Sequence, residues 1–206
     1  MMKGISEPLL RLLKQLMQDS MLQDFYLAGG TGLALHLGHR ESIDIDLFNR
    51  CDFDSRFVCS HLEQNYHAEG VIHELNTARV SINGIKVEFL THSYPLIEDL
   101  SLIDGIRVAS LKDLAAFKLN AVAGRGSKKD FWDVAILLDH YSMKQMLDFF
   151  SQKYPAADLW HLIKSLTYFG DTEAEQIEIL DLQGKSWELI KNHILTAVKE
   201  LPPINE

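Results

Sequence analysis

Asp44 and Asp46 lie in the run Ile43-Asp44-Ile45-Asp46-Leu47-Phe48, where apolar and acidic residues alternate with the period of a β-strand. Residues two apart on a strand point to the same face, so the two carboxylates are presented side by side. Like charges that close repel, which favours protonation of one unless a cation sits between them. Such a pair suits Mg²⁺, a hard cation that takes oxygen ligands and keeps positions open for phosphate. Upstream, Gly29-Gly30-Thr31 follows the apolar run Phe25-Tyr26-Leu27-Ala28 and opens a short apolar helix over 31–37. Glycine lets backbone approach a ligand, and the N–H groups at a helix start attract anions. A phosphate cradle shortly before a carboxylate pair reads as a nucleotide–metal site.

The elements that must position these residues follow from periodicity and turn chemistry. A helix over residues 5–19 leads into a strand over 24–28 and then the glycine turn. Asp52 and Asp54 offer N-caps for a helix reaching about residue 66, with Phe57, Val58, His61 and Leu62 as its inner stripe. Three strands are expected over 70–75, 78–83 and 85–91, the last two joined as an antiparallel hairpin by Asn83-Gly84. Residues 92–109 read as a connector carrying Pro95 and an Asp104-Gly105 turn. From Ser110 the pattern is helical. Ser110-Leu111-Lys112-Asp113 resembles a capping box and opens a helix over 111–122. Gly124-Arg125-Gly126 ends that helix, Ser127 caps another reaching 141, and further helices are expected at about 142–153, 157–169, 172–181 and 184–200. The expected fold is α+β, a small mixed β-sheet core flanked by helices and followed by an all-helical C-terminal region. The composition shift near residue 108 divides it into 1–108 and 109–206.

With 206 residues, 47% of them hydrophobic, the chain can bury one large core or two small ones. A net charge of −9 excludes a protein that merely coats nucleic acid, but not an enzyme that engages RNA through a local basic patch. Cys51 and Cys59 fit no disulfide or metal framework and read as free thiols of a reducing cytoplasm. The amphipathic N-terminus lacks a signal-peptide core, and no stretch approaches a membrane span. His36-x-x-His39 and Cys59-x-His61 lack a complete zinc ligand set. They read as core or surface residues, and Trp132, Trp160 and Trp187 as core.

The stretch Gly29-Gly30-Thr31…Arg40-x-Ser42-x-Asp44-x-Asp46 resembles the first motif of the DNA polymerase β-like nucleotidyltransferases, and more narrowly that of the AbiEii/AbiGii toxins. A second block resembles the same branch: Lys118-x-x-Ala121-x-x-x-Arg125, then Lys128-Lys129-Asp130 and Asp133. The resemblance spans about residues 24–140. Between the blocks, Glu88 is the one acid in the strand Lys86-Val87-Glu88-Phe89-Leu90. Alone it reads as a solvent-facing glutamate on a half-exposed strand; the resemblance makes it the third metal ligand.

The resemblance implies transfer of a nucleoside monophosphate from NTP to a hydroxyl with release of pyrophosphate. Asp44, Asp46 and Glu88 would hold two Mg²⁺ ions. Gly29, Gly30 and Thr31 would receive the β- and γ-phosphates, and Lys118 would neutralise triphosphate charge. Arg125 and Lys129 would contact triphosphate or acceptor, with Asp130 and Asp133 orienting them or assisting the acceptor hydroxyl. Arg40 would contact phosphate or offset the Asp44 and Asp46 charge. The implied acceptor is the tRNA 3′ end or another RNA, and the implied partner an antitoxin protein in a type IV-like toxin–antitoxin system. A protein hydroxyl acceptor, as in AMPylation, uses the same chemistry. A non-catalytic nucleotide-binding protein of this fold is the third reading.

Overall fold

A computed structural model describes residues 4–173, 175, 179–181 and 183–202. These divide into two compact units, Met1–Ser110 and Leu111–Glu206.

The first unit opens with helix α1 (Glu7–Gln18), whose N-cap Ser6 accepts from the Leu9 N–H. Leu9, Leu12, Leu13, Leu16 and Met17 share one buried stripe, the spacing that made the helix legible. Strand β1 (Tyr26–Leu27) follows, then helix α2 (Gly29–Leu37). The two glycines are therefore the first residues of the helix rather than a turn ahead of it. Strand β2 (Ile45–Asn49) carries Asp46. Helix α3 (Ser55–Tyr66) is capped by Asp54, whose carboxylate accepts from the Arg56 and Phe57 N–H groups. Its inner face is Val58, Cys59 and Leu62. Phe57, expected inside, is 54% exposed. His61 turns its Nε2 to Asp19 Oδ2 at 2.6 Å, where the Tyr66 hydroxyl also donates.

Strands β3 (Glu69–Glu74), β4 (Thr77–Ile82) and β5 (Ile85–Thr91) form a meander; Asn83 and Gly84 both take the positive φ of a tight hairpin turn. The segment read as a connector contains a second hairpin, β6 (Ser101–Ile103) and β7 (Ile106–Val108), turning at Asp104-Gly105. Three-residue strands are too short to show an alternation, so only the turn was visible in the sequence. Among the described residues the sheet has the order β3-β4-β5-β2-β1-β7-β6. It is mixed: β2 runs parallel to β5 and β1 parallel to β7, while the other pairs are antiparallel. Its core joins the α1 stripe to Leu27, Ile45, Leu47, Val87, Phe89, Ile106 and Val108. Arg107 adds a clamp, donating to the carbonyls of Met17, Leu22 and Phe25.

The second unit is helical: α4 (Leu111–Gly124), α5 (Lys128–Leu137), α6 (Met143–Lys153), α7 (Leu159–Leu166), the short α8 (Gly170–Glu173) and α9 (Trp187–Lys199). A capping box between Ser142 and Gln145 opens α6. Asp113 Oδ1 takes the Lys153 ammonium at 2.6 Å, both side chains fully buried. Of the helix expected over 172–181, residues 174 and 176–178 lie outside the described residues, and 179–181 are not helical. Trp132 is buried and lies nearly parallel to Trp187, but Trp160, expected in the core, is 48% exposed. No helix among the described residues is long and apolar enough to cross a membrane.

Candidate active site

In β2 the apolar Ile45 and Leu47 point into the core, which leaves Asp46 on the opposite face; Asp44 lies just ahead of the strand, which starts at Ile45 rather than at Ile43. Strand β5 lies parallel to β2 in a register that sets Glu88 beside Asp46. Adjacent strands are about 4.8 Å apart, so an acid 42 residues away in sequence emerges next to the aspartate pair. Asp46 and Glu88 form one acid face, with Asp44 at the entrance to β2.

The start of α2 closes on this face. Ala28 N–H donates to the Asp46 carbonyl at 2.9 Å, tying the helix entry to β2. Gly29 takes φ +61°, and a Cβ there would overlap Asp46 Oδ2. A Cβ on Gly30 would meet Arg40 Nη2 at 2.5 Å. Glycine is thus required at Gly29 by conformation and by the carboxylate lying against the backbone, while at Gly30 the Arg40 guanidinium lies close over the backbone. No side chain caps the first turn of α2, so its N–H groups keep the capacity to receive an anion. Arg40 is buried, with Nη1 donating to the Glu41 carbonyl at 3.0 Å.

Thr31 differs from its expected role. Its hydroxyl is buried and engaged by Ser42 Oγ at 2.8 Å and by the Asp44 carbonyl. It positions the backbone that presents Asp44 instead of facing a phosphate.

Glu88 is balanced by two cations that sequence reasoning missed. Arg79 Nε donates to Glu88 Oε1 at 3.0 Å and Lys86 Nζ at 2.9 Å. The signal was present, because the two-residue turn at Asn83-Gly84 fixes the β4–β5 register and places Arg79 opposite Glu88. The hydrogen bond to Glu88 raises the Lys86 ammonium pKa above the ordinary lysine range; the charges of Glu88, Asp44 and Asp46 reinforce this against partial burial. The donor set is all carboxylate oxygen, which fits a hard divalent cation rather than a soft one. Among the described residues no three His, Cys, Asp or Glu side chains already converge as a ligand cluster, so closing around an ion requires side-chain rearrangement. His36 is not part of such a set: its Nε2 meets the Ala109 carbonyl at 2.9 Å, and burial pushes its pKa down.

The second motif block builds a different arrangement within the helical unit. Lys118 Nζ lies 3.1 Å from Asp130 Oδ1 and 2.7 Å from Asp133 Oδ2, and both aspartates are fully buried. Asp130 Oδ2 also receives Arg125 Nε at 3.1 Å and the Ser127 hydroxyl at 2.7 Å. Ser127 therefore sits at the N-cap of α5 but spends its side chain on Asp130 rather than on the helix backbone. Burial pushes the Asp130 carboxyl pKa up, but the Lys118 charge and the Arg125 and Ser127 hydrogen bonds outweigh it and hold it below the usual carboxylate range. Buried acids bonded to a buried lysine lock α4 to α5. Of the two roles expected of them, orienting Arg125 is the one that the Asp130–Arg125 bond serves. Arg125 stays 74% exposed, and Lys129 is half-buried.

Gly29→Ala tests the close approach at the helix entry. We expect a stability loss on the order of 1–3 kcal/mol from the forced conformation, and a fall in kcat/KM of about 10²-fold from displacement of Asp46. Melting and steady-state kinetics on the purified variant measure both; wild-type kinetics would show that the contact does not matter.

Residues 11–203 match the family described as nucleotidyl transferase AbiEii toxin, type IV toxin–antitoxin system. The protein aq_aa25 of Aquifex aeolicus, strain VF5, is 33% identical over 194 residues, covering 91% of this chain and 93% of that one. Among solved structures, JHP933 of Helicobacter pylori superposes with a TM-score of 0.58 at 19% identity over 94% of this chain and 88% of its own. MenT4, a nucleotidyltransferase toxin of Mycobacterium tuberculosis, does so with a TM-score of 0.50 at 15% identity over 93% and 84%. At these identities the two structures speak for the fold alone.

Proposed function

The chain belongs to the AbiEii family of nucleotidyltransferase toxins, and we propose that it moves a nucleoside monophosphate from NTP to an RNA hydroxyl, the tRNA 3′ end, in a Mg²⁺-dependent reaction in the cytoplasm. The observation that carries this reading is the β2–β5 register, which aligns Glu88 with Asp46 directly beside the uncapped, glycine-opened start of α2.

In this reading the N–H groups of Gly29 and Gly30 receive phosphate oxygens, with the Arg40 guanidinium against Gly30 adding charge. The acceptor hydroxyl oxygen attacks the α-phosphorus. A P–O bond forms, the bond to the bridging oxygen breaks, and pyrophosphate leaves with that electron pair. The hydroxyl proton passes to a carboxylate of the acid face. Asp44, Asp46 and Glu88 would hold the divalent ions, whose chemistry is to neutralise charge on the entering and leaving oxygens. Thr31 keeps Asp44 in place. In the helical unit, Lys118, Asp130, Asp133 and Ser127 fix the turn that carries Arg125. We assign the exposed Arg125 guanidinium, with Lys129, to phosphate recognition. An antitoxin protein is the partner the family implies.

The test mixes purified protein, Mg²⁺, total RNA and each α-labelled NTP, with the Asp44→Ala/Asp46→Ala double variant as control. Label in tRNA only with the intact acids is the expected result. Label in protein bands would replace the acceptor with a protein hydroxyl. Absence of label from every NTP and acceptor pool would favour a non-catalytic binding protein.

A further inference from the structure

Lys86 has no part in the reaction outlined above, yet it lies on the acid face. It shares its side of β5 with Glu88, two residues on, and bonds Glu88 Oε1 at 2.9 Å. The parallel register sets Ile45 beside Val87 and Asp46 beside Glu88; Asp44 and Lys86 immediately precede the first of these pairs. The lysine thus brings a positive charge to Glu88, the register neighbour of Asp46. Arg79 shares the load on Glu88 but is also held by Glu74, with Nη1 3.6 Å from Oε2. Lys86 is 57% exposed on a flexible stem and is the cation free to move.

We propose that Lys86 is a built-in counter-cation of the acid face: its ammonium offsets the repulsion among Asp44, Asp46 and Glu88 while no divalent ion is bound, and metal entry displaces it toward solvent. This rests on the reading of those acids as the metal ligands. The ammonium then competes with the ion. Metal affinity is set below what three carboxylates alone would give, and the face stays ordered between turnovers.

The test uses Mn²⁺ alone, without nucleotide, on the full chain. Free Mn²⁺ is titrated by electron paramagnetic resonance against wild type, Lys86→Gln, Lys86→Arg and Asp44→Ala/Asp46→Ala, and each melting curve is recorded with and without metal. Lys86→Gln is expected to bind Mn²⁺ tighter by on the order of tenfold, as removal of a like charge a few ångströms away predicts. It should also melt lower without metal and gain more on metal addition. Lys86→Arg should stay near wild type in affinity because it keeps the charge. Unchanged or weaker binding by Lys86→Gln, with the double variant losing the site, would overturn the role of Lys86 and leave the metal reading standing. Wild-type binding by the double variant would overturn the metal reading and the Lys86 proposal together.

Discussion

Asp46→Asn is expected to lower nucleotide transfer by about 10³-fold or more while leaving the melting temperature unchanged or slightly raised. Asparagine keeps the shape of the side chain, and the Ala28 N–H still finds the backbone carbonyl of residue 46. The start of α2 therefore stays joined to β2. The charge is what goes. A face of three acids, counterbalanced by Lys86 and Arg79 on Glu88, loses one repelling member. Charge stabilisation by a bound divalent ion supplies several kcal/mol to the transition state, and each 1.4 kcal/mol is about a factor of ten in rate. A variant transferring label at more than a tenth of the wild-type rate would remove Asp46 from the metal assignment. A variant that is inactive and also unfolded by circular dichroism would make the carboxylate structural. Glu88→Gln separates the third acid by the same pair of measurements, since its register partners Asp46 and Arg79 are retained.

What could be seen in the sequence was what local periodicity records. The α1 stripe, the Asp54 cap and the Asn83-Gly84 hairpin each need only a few neighbouring residues to declare themselves, and each is where the sequence puts it; the Ile-Asp-Ile-Asp alternation holds only from Ile45, since Ile43 is exposed and precedes the strand. The acid face needed one step more. That Glu88 lies beside Asp46 depends on the pairing of β2 with β5, strands forty residues apart, and residue spacing alone is silent about it. Arg79 and Lys86 were missed although the hairpin turn sets their register, because charged residues on an edge-ward strand read as solvated until a partner is placed opposite them. Phe57 shows the converse: an aromatic at helical spacing, it is exposed because Val58, Cys59 and Leu62 already fill the space between α3 and the sheet. Lys118, Asp130 and Asp133 were visible as a pattern but not as a buried cluster. A helix-start acid is ordinarily a solvated one, and the lysine twelve residues before Asp130, with Arg125 and Ser127, makes its full burial tolerable.

That burial makes Lys118→Met the second large effect. The substitution keeps most of the apolar stem and removes the charge, leaving Asp130 and Asp133 buried beside an uncharged group. Stripping one partner from a buried ion pair costs about 3–5 kcal/mol, which in a chain of this size lowers the melting temperature by roughly 6–20 °C. The pH dependence gives a sign that a role confined to substrate binding cannot produce. In the wild type the Asp130 carboxyl is held below its ordinary range, so the folded state binds fewer protons than the unfolded one. Its contribution is present above the unfolded aspartate value and is lost as pH falls through the lower folded one. Without Lys118, burial acts on Asp130 against only Arg125 and Ser127, the carboxyl rises, and the folded state becomes the better proton acceptor. Lys118→Met should therefore be more stable at pH 5 than at pH 7.5, a window over which the lowered Asp130 carboxyl gives the wild type no slope, and with a sign opposite to the slope it gives the wild type at lower pH. Lys118→Met/Asp133→Asn should recover part of the loss, because it removes the acid nearer to the lysine, at 2.7 Å. If Lys118→Met melts like the wild type at both pH values and loses only nucleotide transfer, the lysine acts on substrate and the ion pairs seen here are incidental. If it melts low with the inverted pH dependence, its first task is to hold α4 to α5 and keep the Arg125 turn in shape.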